Sequence, residues 1–186
     1  EASGLQEISN PAGLFLEERS NDASGSVVCA CLEGNRPILV EMQALVAKTP
    51  YGMPRRTAVG FDYNRVTMLL AILERRLGMD FGAYDAYVNV VGGMKVTEPA
   101  ADLAVAAALV SSYRNRPIPH GVLVMGEVGL TGEVRRIGSP ERRIKDAMNL
   151  GFKRFVLPMG KLSLDEPCNG IVQVKTLEEA LDKVFA

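Results

Sequence analysis

The stretch GGMKVTEPAADLAVAAALVSS, Gly92 to Ser112, decides the fold. A Gly-Gly turn leaves a strand, and Pro99 stands where the first residue of a helix tolerates proline. From Ala100 to Val110 every residue but Asp102 is apolar. A helix apolar on all sides has no face to give to water, so this one is expected at the buried centre. Asp102 is expected either to pair with an arginine or to face the surface where the helix dipole favours an acid.

The segments around it supply a sheet and further helices. Upstream, Ser26–Leu32 and Pro37–Val46 read as two strands joined by a turn at Glu33-Gly34-Asn35-Arg36. Val40, Met42 and Ala44 share one face of the second strand, with Glu41 and Gln43 on the other. Lys48–Asp62 reads as a loop that carries Lys48, Tyr51, Arg55 and Arg56. Asp62 is placed to cap a helix whose apolar residues Val66, Leu69, Leu70, Leu73 and Leu77 recur at helical spacing, with Arg65, Arg75 and Arg76 off that stripe. Tyr84–Val91 alternates as a strand and feeds the central helix.

Downstream, Gly121–Glu127 reads as a buried strand and Gly129–Ile137 as a tight turn followed by a short strand. Ser139-Pro140-Glu141 has the form of a helix start, with a capping hydroxyl and proline in the first turn. Ile144, Ala147 and Met148 then face inward. Phe155–Leu157 and Ile171–Val174 are expected strands, and Thr176 with Glu179 forms a capping box for a last helix. The pattern predicts an α+β two-layer domain, a mixed sheet with packed helices.

Composition narrows the function classes. The 186 residues suit one domain. No apolar run has the length and flanks of a membrane span, and the first residues lack the regions of a signal peptide. The chain begins without Met, so it is expected to be a fragment of something longer. Cys29, Cys31 and Cys168 lack metal-ligand spacing and suit reduced thiols in the cytoplasm, and a lone His120, read as a loop residue, weakens any case for zinc. A formal charge of −1 gives no global attraction to nucleic acid, so such binding must come from a local patch. Gly126–Gly132 has no GK[ST] ending and reads as turn geometry, not as a phosphate loop.

GEVGLTGEVRRIG, the GG…EPAADLA segment and GFKRFVLP resemble the proteolytic domain of Lon-type proteases. NPAGLFLEER, RPILVEMQALV, TPYGMPRRTAVGFDYNRV and LAILERRLG are more closely similar to the C-terminal Lon-like domain of the bacterial RadA family, RecA-related DNA repair proteins. The resemblance runs from about residue 10 to 158 and implies a Lon-type fold. It divides the chain into residues 1–25, a covering segment or linker from a preceding ATPase module, and residues 26–186, the Lon-like domain. In an active Lon-like peptidase a serine follows Gly-Pro at the start of the central helix, and its partner lysine follows the GEV turn. Here Ala100 stands in the serine's place and Glu141 in the lysine's.

A Ser-Lys dyad needs a hydroxyl to attack and an amine kept neutral by desolvation to take its proton. Alanine has no attacking atom, and a glutamate base has nothing here to deprotonate. Losing either member of such a unit costs on the order of 10⁴ to 10⁶ in turnover. Ser111 and Ser112 are expected to end the central helix and Ser139 to cap one, while Lys95 and Lys145 read as solvated charges. The domain is therefore expected to be no enzyme and to hold no cofactor. The resemblance places ATP, magnesium and zinc in modules preceding Glu1.

Binding remains. Arg55-Arg56, Arg75-Arg76, Arg135-Arg136 and Arg142-Arg143 are candidate surface pairs. Arg36, Arg55, Arg56, Arg65, Lys95 and Arg135 are the candidate contacts to DNA phosphates, without sequence specificity. Tyr51 is open to three readings: stacking on a base, contacting a neighbouring subunit, or packing. The resemblance implies one tier of a homo-oligomeric, hexameric ring in an ATP-driven motor that helps strand invasion and branch migration. A purely structural assembly module and a peptidase with an unrecognised nucleophile are the alternatives.

Overall fold

The computed structural model describes residues 16–20 and 22–186. Most of the expected N-terminal covering segment therefore lies outside the described residues. Among the described residues a seven-stranded mixed sheet carries four α-helices. The strands are β1 (Ser26–Glu33), β2 (Arg36–Lys48), β3 (Arg56–Val59), β4 (Tyr84–Val90), β5 (Val122–Val124), β8 (Arg154–Pro158) and β9 (Ile171–Val174). Their order is β3-β4-β2-β1-β5-β8-β9. The β1–β2 hairpin and the β2–β4 pair are antiparallel, and the remaining pairs are parallel. Two short strands, β6 (Glu127–Val128) and β7 (Val134–Arg135), form a separate antiparallel pair. The expected strand over Gly121–Glu127 is thus two strands in two sheets.

The helices are α1 (Tyr63–Leu77), α2 (Asp102–Arg114), α3 (Pro140–Asn149) and α4 (Leu177–Val184). Helix α2 is the buried centre that its composition demands, preceded by a 3-10 turn over Pro99–Ala101. Every residue from Asp102 to Ser111 is buried. Its direction along β1 and β2 is fixed at both ends. The Ala100 carbonyl lies 3.8 Å from the Cys29 thiol, and the Ser112 hydroxyl accepts from the Val46 N–H at 2.8 Å. The Ser111 hydroxyl accepts from the Gly25 N–H at 2.8 Å and donates to the Arg116 carbonyl at 2.6 Å.

Helix α1 begins as its sequence dictates, with the Asp62 carboxylate accepting from the Arg65 N–H at 2.9 Å. It stops at Gly78, whose φ of 65° a side chain would resist. Thr176 caps α4 through the Glu179 N–H.

Three local expectations change. Residues 56–59, expected within a loop, form edge strand β3 parallel to β4. Four residues between prolines and glycines give too short a pattern to read, and pairing with β4 defines the strand. Ser139 precedes α3 but makes no capping hydrogen bond. Its φ of 52° and ψ of 49° are left-handed, whereas a capping hydroxyl needs an extended residue to reach back to the first turn. Pro140 disfavours the right-handed conformation at Ser139. Glu41, expected on the polar face of β2, is buried and accepts from the Ser26 hydroxyl at 2.6 Å and the Gln43 amide at 3.1 Å.

On the face of the sheet away from α2, residues 43–47 of β2 with β4 and β3 leave Gln43, Leu45, Thr57, Val59 and Asn89 exposed and Tyr87 half-buried. Among the described residues, that exposed part of the face ends at the loop between β2 and β3.

Candidate functional site

The position where a serine nucleophile would stand holds the methyl group of Ala100, 4% exposed. Its backbone is fixed, because the Ala100 carbonyl accepts from the Gly126 N–H at 2.8 Å. Glu141, in the lysine's place, turns its carboxylate toward the Ser163 N–H at 3.2 Å. Cys29 is the thiol closest at hand, and the Cys31 sulfur lies 3.9 Å from it. The hydrogen bond with Cys31, then burial, push the Cys29 thiol well above its ordinary range, so it is held protonated and unreactive. Ser111 and Ser112 are spent on backbone partners, as described above.

Beside Ala100 stands a pair that pattern reading missed. Arg143, expected on the surface, is 1% exposed, and its guanidinium donates to both carboxylate oxygens of Glu98 at 2.7 and 2.8 Å. It also donates to the Ala30 carbonyl at 2.6 Å and the Gly138 carbonyl at 2.8 Å. The Glu98 carboxylate further accepts from the Leu32 N–H at 2.7 Å. One fork thus ties β1, the turn before α2 and the start of α3 together. A signal was present: Arg143 lies four residues before buried Ala147, on the inward stripe of α3. Arginine at that position reads as surface only if charge is given more weight than spacing.

A second pair fixes the N-terminal end of α2. Asp102 is fully buried, and the Arg65 guanidinium binds it through two hydrogen bonds, Nε to Oδ1 at 2.8 Å and Nη2 to Oδ2. The Val128 N–H donates to the same carboxylate at 3.2 Å. Burial pushes the Asp102 carboxyl up, while its hydrogen bond raises Arg65. The two shifts pull in opposite senses on one pair, and the bidentate geometry favours the charged form of both.

The six candidate phosphate contacts divide accordingly. Arg65 is committed to Asp102. Arg56 donates to the Phe81 carbonyl at 2.8 Å, the Arg55 carbonyl at 3.3 Å and the Tyr84 carbonyl, so it fastens β3 to the start of β4. Arg135 is exposed beside Glu133 at 3.4 Å. Arg36, Arg55 and Lys95 are exposed, with no side-chain partner among the described residues. These three do not form one cluster. Arg36 and Lys95 flank the β1–β2 turn, where Arg142 donates to the Asn35 carbonyl at 2.7 Å. Arg55 and Lys48 sit at the other end of β2, about 40 Å away for twelve residues of strand.

At that second end Asp85 anchors the loop over residues 49–55. Its carboxylate accepts from the Arg55 N–H at 2.7 Å and the Thr49 hydroxyl at 3.0 Å. The Arg55 N–H, followed by the Thr49 hydroxyl, holds the Asp85 carboxyl below its ordinary range. The loop tip is open to solvent, with Tyr51 94% and Met53 88% exposed.

Among the described residues no group of three or more His, Cys, Asp or Glu side chains is placed to hold a metal ion, and no helix is long and apolar enough to cross a membrane.

Comparison with known proteins adds two findings. The family model described as subunit ChlI of Mg-chelatase matches residues 43–161. Curated proteins named DNA repair protein RadA match nearly the whole of this chain. The one from Pseudomonas aeruginosa is 49% identical over 183 residues, covering 98% of this chain and 40% of that protein. The one from Halalkalibacterium halodurans is 47% identical over 184 residues, covering 97% of this chain and 40% of that protein. The one from Streptococcus pneumoniae is 44% identical over 189 residues, covering 100% of this chain and 45% of that protein. The chain therefore spans less than half the length of these relatives.

Proposed function

Given that the chain belongs to the ChlI family and, within it, to the C-terminal Lon-like region of the RadA DNA repair proteins, we propose that it is a non-catalytic module of a DNA repair factor. The observation that carries the reading is Ala100, a methyl group where acyl transfer needs an attacking atom, beside a buried ion pair that fixes the surrounding turn. The module contributes DNA contacts and a tier of a ring, a hexamer by resemblance, to a cytoplasmic, ATP-driven branch-migration motor. ATP, magnesium and zinc belong to other parts of that motor.

DNA contact rests on the exposed cations Arg36, Arg55 and Lys95, with Arg135 as a fourth. Their guanidinium and ammonium groups meet phosphate oxygens without reading sequence. Two basic ends about 40 Å apart match the length of roughly twelve base pairs at about 3.4 Å each. The test is duplex binding as salt is raised. Arg55→Glu or Lys95→Glu is expected to weaken binding and to flatten the salt slope by about one ion per contact. Unchanged affinity in both variants overturns this choice of surface.

A purely structural role in assembly is the second reading. It is favoured by Arg56, Arg65 and Arg143, which serve the fold and not a ligand. Persistence of the oligomer with no retention on DNA selects it.

A further inference from the structure

We propose that the loop over residues 49–55 is a base-contacting tip, in which Tyr51 and Met53 take unstacked bases at a single-strand to duplex junction of DNA. This rests on the DNA-binding reading above and goes beyond it, since the cations alone distinguish no DNA form.

The first observation is exposure. Tyr51 and Met53 are the two most exposed large apolar side chains among the described residues, and they stand two positions apart at one tip. Neither packs on the domain, so folding gains nothing from them. An exposed aromatic ring and a polarizable thioether are the groups that stack on a base or wedge between base steps.

The second is rigidity. Both stems of the loop are pinned to Asp85, and the Thr49 N–H donates to the Ala83 carbonyl at 2.9 Å. Pro50 and Pro54 restrict the backbone on either side of the tip, and Gly52, at φ 77°, makes the bend. Arg56 clamps the base of β3 through three carbonyls. A tip held this way loses little freedom on binding.

The third is charge. Residues 47–61 contain Lys48, Arg55 and Arg56 and no acid. The carboxylate at the loop's base, Asp85, is 7% exposed and spent on the loop itself. Exposed Lys48 and Arg55 therefore flank the apolar tip, an arrangement that suits a polyanion whose bases are accessible. A closed duplex offers the cations their phosphates but gives Tyr51 no ring to stack on. A frayed or forked end offers both.

The test compares binding of the 186-residue chain to a forked DNA and to a blunt, fully paired duplex, each with 2-aminopurine at the junction or the equivalent pair. Tyr51→Ala is expected to weaken fork binding by about 5- to 150-fold for the loss of one stacked base, and Met53→Ala to weaken it by less. Both leave duplex affinity and the salt slope unchanged. Tyr51→Phe, which keeps the ring, is expected to bind the fork within about twofold of the parent. The 2-aminopurine signal changes on binding of the parent and not of Tyr51→Ala. Equal losses on fork and duplex, or no loss on either, overturn the proposal. So does a change in oligomeric mass on Tyr51→Ala at unaltered DNA affinity, which assigns the tip to a contact between copies. If Arg55→Glu weakens duplex binding while Tyr51→Ala leaves the fork alone, only this inference falls. If the parent binds neither DNA, the reading beneath it falls as well.

Discussion

The Glu98–Arg143 pair makes the sharpest demand on the structure. Arg143→Met keeps a long apolar stem but removes the charge, leaving Glu98 without a counter-ion and the Ala30 and Gly138 carbonyls without donors. Breaking a buried ion pair from one side costs about 3–5 kcal/mol. Glu98 retains 22% side-chain exposure and the Leu32 N–H, which places the expected loss at the lower end, about 3 kcal/mol. For a domain of this size that lowers the midpoint of thermal unfolding by about 6–12 °C.

The double variant Arg143→Met with Glu98→Gln removes both charges and keeps an acceptor for Leu32. It is expected to be more stable than Arg143→Met alone, with a coupling of about 1–3 kcal/mol. Urea unfolding followed by far-ultraviolet circular dichroism measures all three, since the chain has no tryptophan. A loss under about 1 kcal/mol in Arg143→Met, or strictly additive effects in the double, refutes the reasoning. Either result would mean that the charge is already solvated and that the fork does not fasten the turn before α2.

The same geometry makes two more demands. Ala100→Ser with Glu141→Lys is expected to yield no casein cleavage and no labelling by a serine-reactive probe. The side chain at position 141 is directed to the Ser163 N–H, so restoring residue types alone is not expected to restore a working dyad. An acyl adduct on the hydroxyl introduced by Ala100→Ser would show that the geometry relaxes more than the fold suggests. The second concerns Asp85, whose folded carboxyl titrates below its ordinary value, about 3.9. The sign is that of a depressed acid: its contribution is present above that value and is lost as pH falls toward the lowered one. Asp85→Asn is therefore expected to flatten the acid limb of stability against pH in that window, and an unchanged limb sinks the assignment.

Much of the fold was legible because its signals are local. Asp62, the stripe from Val66 to Leu73 and Gly78 specify α1 within a single stretch of chain, and the apolar run of α2 has no alternative to burial. Strand β3 was not legible, because four residues become a strand only through β4, thirty positions further on. The same distance rule governs the site. The absence of serine at 100 and of lysine at 141 is visible in the residues once the resemblance supplies the register. What replaces the missing pair is not visible, because Glu98 and Arg143 are 45 residues apart and each looks ordinary alone.

This also explains why six cations chosen as one surface resolve into two environments. An arginine is read in sequence by its charge, but burial decides its role. A guanidinium with carbonyls or a carboxylate within reach is drawn inward as a fastener, as Arg56, Arg65 and Arg143 are. One held out near a turn, as Arg36 and Arg55 are, stays exposed to solvent. The ion pairs beside Ala100 and at Asp102 therefore serve the fold. They hold the two ends of the turn into α2. A scaffold so fastened keeps the geometry that presents its loops without drawing on the side chains at 100 and 141.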